Sequence, residues 1–99
     1  MKRVEHLLTI VTEECAEVTK CVTKILRFNA EDHYPDNPLT NNDRFWQEWH
    51  DLQAVVEMLV EDGMLVPPGD GEAAANKAAK KTKVEQYLKY SLTRGTLTS

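Results

Sequence analysis

The sequence predicts an all-α fold, a bundle of three main helices per chain completed by oligomerisation. Three observations predict it. Apolar residues recur at three-and-four spacing over long stretches, the turn formers gather in two regions that leave three helical runs, and no stretch alternates like a strand. A chain of 99 residues makes one small domain, residues 1–99, which can bury only part of its apolar stripes by itself.

The first helix is expected from about Val4 to Phe28, because Val4, Leu8, Val11, Cys15, Val18, Val22 and Ile25 follow the bundle spacing and nothing between them breaks it. From Asn29 to Asn42 the chain reads NAEDHYPDNPLTNN, a connection longer than compact domains use, either a loop insertion or a lid. Asn42 can cap a second helix whose Asp43 suits the positive N-terminal end. That helix runs to about Asp62, where Gly63 offers the left-handed closing position. After GMLVPPGDG, Asp70 or Gly71 opens a third, alanine-rich helix that reaches about Thr93 and is followed by Gly95, leaving 93–99 as a tail.

Charge and composition exclude several classes of function. A net charge of −4 argues against nucleic acid or an anionic membrane as partner, and no apolar run is long enough to span a bilayer. The opening MKRVEHLLTIVTEE turns acidic too early for a signal peptide, so a cytoplasmic protein is expected. Cys15 and Cys21 share one helix without zinc-motif spacing and read as reduced, small apolar residues.

Two acidic pairs are harder to place. Glu14-x-x-Glu17 and Glu48-x-x-Asp51 each lie in an amphipathic helix, and one acid of each pair falls in the apolar arc. Glu14 is an angular neighbour of Leu7, Ile10, Cys21 and Ile25; Glu48 neighbours Leu52, Val55 and Leu59. An unpaired buried carboxylate costs several kcal/mol, whereas carboxylates converging on a hard divalent cation are compensated by its charge and supply oxygen ligands. The plain alternative for Glu13, Glu17, Lys20, Lys24 and Arg27 is a solvated charged face. Against it, Glu13 and Glu17 repel at i,i+4, as do Lys20 and Lys24, and segregated charge suits a metal holding polyphosphate. A di-iron carboxylate bundle would need Glu-x-x-His, but Arg3 stands three before His6 and Gln47 three before His50.

EECAE followed by EWHDLQAVVEML resembles the EExxE and ExxD signature of the MazG-like all-α nucleoside triphosphate pyrophosphohydrolases, a superfamily related to the dimeric dUTPases. The resemblance spans about residues 6–62, and KVEQYLKYSLTRGTL is similar to the last helix of small members. It implies a four-helix-type core and Mg²⁺-dependent hydrolysis of an NTP or dNTP to the monophosphate and pyrophosphate, with the metal held by Glu14, Glu17, Glu48 and Asp51. Mn²⁺ is the alternative ion. The long connection between the motifs leaves the accepted base open.

Other roles follow less directly from the residues. Glu13, on a more exposed side, is a candidate acceptor for the proton of the attacking water, or else a surface residue. Lys24 and Arg27 lie beyond Glu17 on a similar face and can neutralise the β- and γ-phosphates. Lys80 and Lys83 on the third helix fall at angles unusual for solvated lysines, so one of them is expected to reach phosphate or a carboxylate. Trp46 and Trp49 are candidates for base contact, with core or interface packing as the alternative; His50 stands beside the acids. The first helix carries an apolar stripe about seven turns long, more than its shorter partners can cover, so a homo-oligomer, dimer or tetramer, is expected. The rival function is a non-catalytic helical protein-interaction module.

Overall fold

The computed structural model describes residues 1–98 and is all-helical, with α1 (Arg3–Phe28), α2 (Asn41–Glu61), α3 (Asp70–Arg94) and no strand among the described residues. The chain divides into two compact units, one spanning Met1–Val66 and the other beginning at Pro67. None of the helices is long and apolar enough to cross a membrane.

The first unit is an antiparallel helical hairpin of α1 and α2. Asn29 closes α1 from a left-handed φ of 69°, donating its N–H to the Ile25 carbonyl. With ψ at 170° this is not the left-handed helical cap that asparagine readily adopts but an extended positive-φ conformation more usual for glycine, and Asn29 is held in it by contacts to Ile25, Glu31 and Asn41. The same residue turns the chain toward α2, because its carbonyl accepts from the buried Asn41 side chain at 3.0 Å. At the far end, Arg3 pairs with Asp62, so a polar contact brackets the hairpin at both ends.

The start of α2 is set two residues earlier than a cap at Asn42 would place it. Thr40, rather than Asn42, is the N-cap: its hydroxyl accepts from the Asp43 N–H at 3.1 Å, and the Asp43 carboxylate accepts from the Thr40 N–H at 3.0 Å. This reciprocal box satisfies two backbone donors that a helix start would otherwise leave unpaired. Asn41 and Asn42 instead donate their backbone N–H groups to the carbonyls of Asp32 and Ala30, both at 2.9 Å, which pins the connection onto the first turn.

The packing seam explains where the acids lie. On α1, residues 3, 7, 10, 14, 17, 21, 24 and 28 repeat at four-and-three spacing, and Leu7 and Cys21 are the buried members of this line. On α2 the matching line is 41, 45, 48, 52, 55, 59 and 62, with Asn41 and Leu59 buried. Such spacing keeps one face of each helix toward the other over several turns. Glu14, Glu17, Lys24 and Glu48 are therefore seam positions, each partly buried. The expected stripe Val4, Leu8, Val11, Cys15, Val18, Val22 and Ile25 is a second seam, one residue over, in which every side chain is apolar. It is the less covered of the two: Leu8, Cys15 and Val22 are exposed.

The second unit holds α3. Gly69 precedes it, Asp70 and Glu72 occupy the first turn and Arg94 the last, so charged side chains complement the helix dipole at both ends. Gly95 closes the helix at φ 77°, the left-handed position a side chain would strain. None of the residues of α3 is buried, and Val84, Tyr87, Leu88 and Tyr90 are all exposed.

Candidate metal centre

The hairpin brings Glu14 from α1 together with Glu48 and Asp51 from α2. One carboxylate oxygen from each lies within 4.8 Å of the other two. Glu48 and Asp51 share a helix at i,i+3, which puts both carboxylates on one side; the antiparallel partner supplies the third from the opposite wall. Glu14 and Glu48 are half-buried, whereas Asp51 is exposed, so the cluster opens to solvent on one side.

Electrostatics make this arrangement costly for the bare protein. The Glu48 carboxyl lies above the ordinary glutamate value, first because burial disfavours its charge and then because Asp51, Glu14 and Glu17 add negative potential. A proton on Glu48 would also let it hydrogen-bond to Glu14. Without such a proton, Glu14 Oε2 is a buried acceptor with no donor. A buried carboxylate oxygen without a donor, on a residue that shares a cluster with two further carboxylates, fits a hard cation well, since all-oxygen donors of negative charge are what Mg²⁺ and Mn²⁺ take.

The remaining sequence candidates are placed as follows. Glu17 stands one turn beyond Glu14, outside the three converging carboxylates, with Lys20 at 3.9 Å from its Oε2. Glu13 is exposed on the neighbouring face. Lys24 turns to the connection, where its ammonium donates to the Tyr34 hydroxyl at 3.0 Å. Arg27 lies over the Phe28 ring, 4.7 Å from its centroid. Trp46 packs edge-on against Phe45 at 5.3 Å and lies 6.3 Å from the His50 ring. Trp49 borders an open groove with Leu52 and Val56. Lys80 and Lys83 are exposed on α3, and neither forms a salt bridge among the described residues.

No family model, no curated protein and no solved structure matches the chain. The resemblance to the MazG-like enzymes therefore rests on the two acidic motifs alone.

Three residues near the hairpin turn were not singled out by sequence reasoning. Tyr34 lies in a stretch that offers only turn signals, and no pattern there marks it. Asn41 stands in the same turn-rich run without a signal of its own and is the buried tie to Asn29. Arg44 was findable, because it precedes Glu48 by one helical turn and so flanks the acids on the same side of α2.

Proposed function

We propose that the protein is a divalent-metal-dependent nucleoside triphosphate pyrophosphohydrolase, converting an NTP or dNTP to the monophosphate and pyrophosphate. The observation that supports it most is the convergence of Glu14, Glu48 and Asp51 from two helices, with one Glu14 oxygen buried and unpartnered. In this reading Glu14, Glu48 and Asp51 hold the metal, and Glu17 joins them by a side-chain rotation away from Lys20. Bound Mg²⁺ supplies charge neutralisation and Lewis acidity toward the α-phosphate. The chain's own residues do the rest. The acids fix where the phosphates sit, Glu13 is the candidate acceptor for a water proton, and Trp46 or Trp49 offers a face for the base. Lys80 and Lys83 stay candidates for phosphate contact, and a cytoplasmic setting suits a nucleotide substrate.

A homo-oligomer belongs to the same proposal. The wholly apolar second seam of α1 and the exposed Val84, Leu88 and Tyr87 of α3 are surfaces that another copy of the chain can cover. The same surfaces favour the rival reading, a helical module that binds another protein and has no use for metal.

Magnesium titration followed by thermal melting separates the two readings. A specific site stabilises the fold progressively as metal passes its dissociation constant, by about 2.7 kcal/mol at a hundredfold excess over that constant. Ion-exchange analysis of early products then tests the reaction: pyrophosphate and monophosphate are expected. Orthophosphate with a nucleoside diphosphate would refute the proposed reaction class.

A further inference from the structure

The connection between α1 and α2 is fastened at its feet and nearly free at its tip. At the feet, the Ala30 and Asp32 carbonyls accept from the Asn42 and Asn41 N–H groups, both at 2.9 Å. The Asn41 side chain donates to the Asn29 carbonyl at 3.0 Å, and Asn29 Oδ1 accepts from the Glu31 N–H at 3.1 Å. Residues 33–39 bond mainly among themselves: the Asn37 N–H donates to the Tyr34 carbonyl at 3.1 Å, the Leu39 N–H donates to Asn37 Oδ1 at 3.0 Å, and His33 Nδ1 lies 2.8 Å from the Tyr34 carbonyl. Among the described residues, one hydrogen bond joins this stretch to a helix, from the Lys24 ammonium to the Tyr34 hydroxyl at 3.0 Å. The Tyr34 ring is also approached by two cations, Lys24 at 5.3 Å from α1 and Arg44 at 5.2 Å from α2.

Burial does not take the place of those bonds. His33, Tyr34, Pro35, Asp36 and Pro38 are exposed, and only Asn37 and Leu39 are partly covered. Ordering such a stretch costs more entropy than its own few hydrogen bonds return, so it stays down because something holds it. Tyr34 is that contact, through its hydroxyl to α1 and through its ring to both helices. Each tie is weak at an exposed site: a cation over a phenol ring shifts an equilibrium about two- to fivefold, and one hydrogen bond about two- to tenfold. A closed state held this way stays within reach of the open one. There is also something to uncover. His33, Tyr34 and Pro35 form one wall of an open cavity of about 400 Å³, lined on its other sides by Lys24 and Phe28 of α1 and Asn41 of α2.

We infer that residues 33–39 are a hinged flap, latched by Tyr34 between Lys24 and Arg44, whose opening takes one wall away from the cavity beside Phe28. The feet fix where it turns. Asp32 is tied to Asn41, and Thr40 is committed to the cap of α2, so the hinges fall just after Asp32 and just before Thr40. The latch reports the closed position because its two cations come from different helices, and a phenol lying between the helices meets both. The connection is then a lid rather than a passive insertion. None of this depends on the hydrolase reading.

Residue-resolved amide hydrogen exchange tests the latch. The Asn37 and Leu39 amides report the flap, and the Asn41 and Asn42 amides report the feet as an internal reference. Tyr34→Phe, which removes the hydroxyl and keeps the ring, and Lys24→Gln should each speed flap exchange about fivefold, and Arg44→Gln about twofold. Tyr34→Ala removes every tie and should speed it about tenfold or more, while the foot amides change less than about twofold. A neutral nitroxide cosolute gives a second readout: broadening of the Phe28 ring signals should increase in Tyr34→Ala and not in Lys80→Gln. A third follows the phenol itself, which in the closed latch ionises below the ordinary tyrosine value, chiefly through the Lys24 hydrogen bond and charge, with smaller help from Arg44 and Lys20. Lys24→Gln should return it toward that value. Flap amides no faster in Tyr34→Ala than in wild type would mean that Tyr34 holds nothing, and equal acceleration of flap and feet would mean that the connection moves only with the hairpin; either result overturns the flap.

Discussion

Glu48 is where the conflict between folding and chemistry is sharpest. Its carboxyl is held above the ordinary glutamate value by burial and by the three other acids, so the native state binds a proton more tightly than the unfolded chain does. The sign follows by linkage: the metal-free protein should gain stability as pH falls through the raised Glu48 value toward the ordinary one, and lose it as pH rises through the same window. Replacing Glu48 by Gln removes the repulsion at all pH. The metal-free variant should melt higher than wild type at neutral pH, show a flatter pH dependence across that window, and gain nothing from Mg²⁺. Activity within a few-fold of wild type would remove Glu48 from the site. Glu14 and Glu48 were legible as odd residues because an acid in an apolar arc breaks a simple pattern. Tyr34 was not, since its contacts come from Lys24 and Arg44, ten residues away along the chain in either direction.

Single elements show how local rules compete. Both Thr40 and Asn42 are acceptable caps, and only Thr40 places an aspartate three residues on, which makes the reciprocal box possible. Asn41 is meanwhile recruited to the Asn29 carbonyl, a contact twelve residues back that local propensity does not encode. Thr40→Ala should cost about 1 kcal/mol, the usual loss for such a cap. Asn42→Ala should cost much less, so comparing the two by denaturant melts checks the assignment. The capping loss should also loosen the connection pinned to the first turn of α2, and with it the placement of Tyr34. In α1 the three-and-four period identified the helix, and the arc of Leu7, Ile10, Glu14 and Cys21 read around it is the face that packs, whereas the continuation of that arc through Leu8, Cys15 and Val22 is exposed. Two seams one residue apart fit that period equally well, and the structure turns the one containing the acids toward α2.

For the whole molecule, the second, wholly apolar seam of α1 is the surface on which the proposed homo-oligomer is tested. Cys15 sits in it, exposed, whereas Cys21 is buried in the hairpin and its thiol is pushed up by burial and by the nearby Glu48 charge. These two thiols report on assembly. A thiol reagent should modify Cys15 first and Cys21 only on opening of the hairpin. If a second copy of the chain covers the seam, the Cys15 rate should fall as protein concentration rises through the association range, while the Cys21 rate follows stability. A Cys15 rate independent of concentration, together with a monomer mass by light scattering, would rule out this seam as the contact between copies. The helices and their order were readable from turn formers and periodicity. Their assembly was not, because an apolar stripe states that something must cover it without stating what.

The line Leu7, Glu14, Cys21 has an implication for how such a chain responds to selection. A leucine, a carboxylate and a cysteine share one row, so the most direct way to strengthen the hairpin is to make the charged member apolar. A library screened for thermal stability alone should therefore accumulate apolar residues at positions 14 and 48 before it improves any loop, and every such winner should have lost its response to magnesium. Robustness and chemistry draw on the same few positions here, and a variant that gains both would have to find its stability elsewhere, at the second seam or along α3.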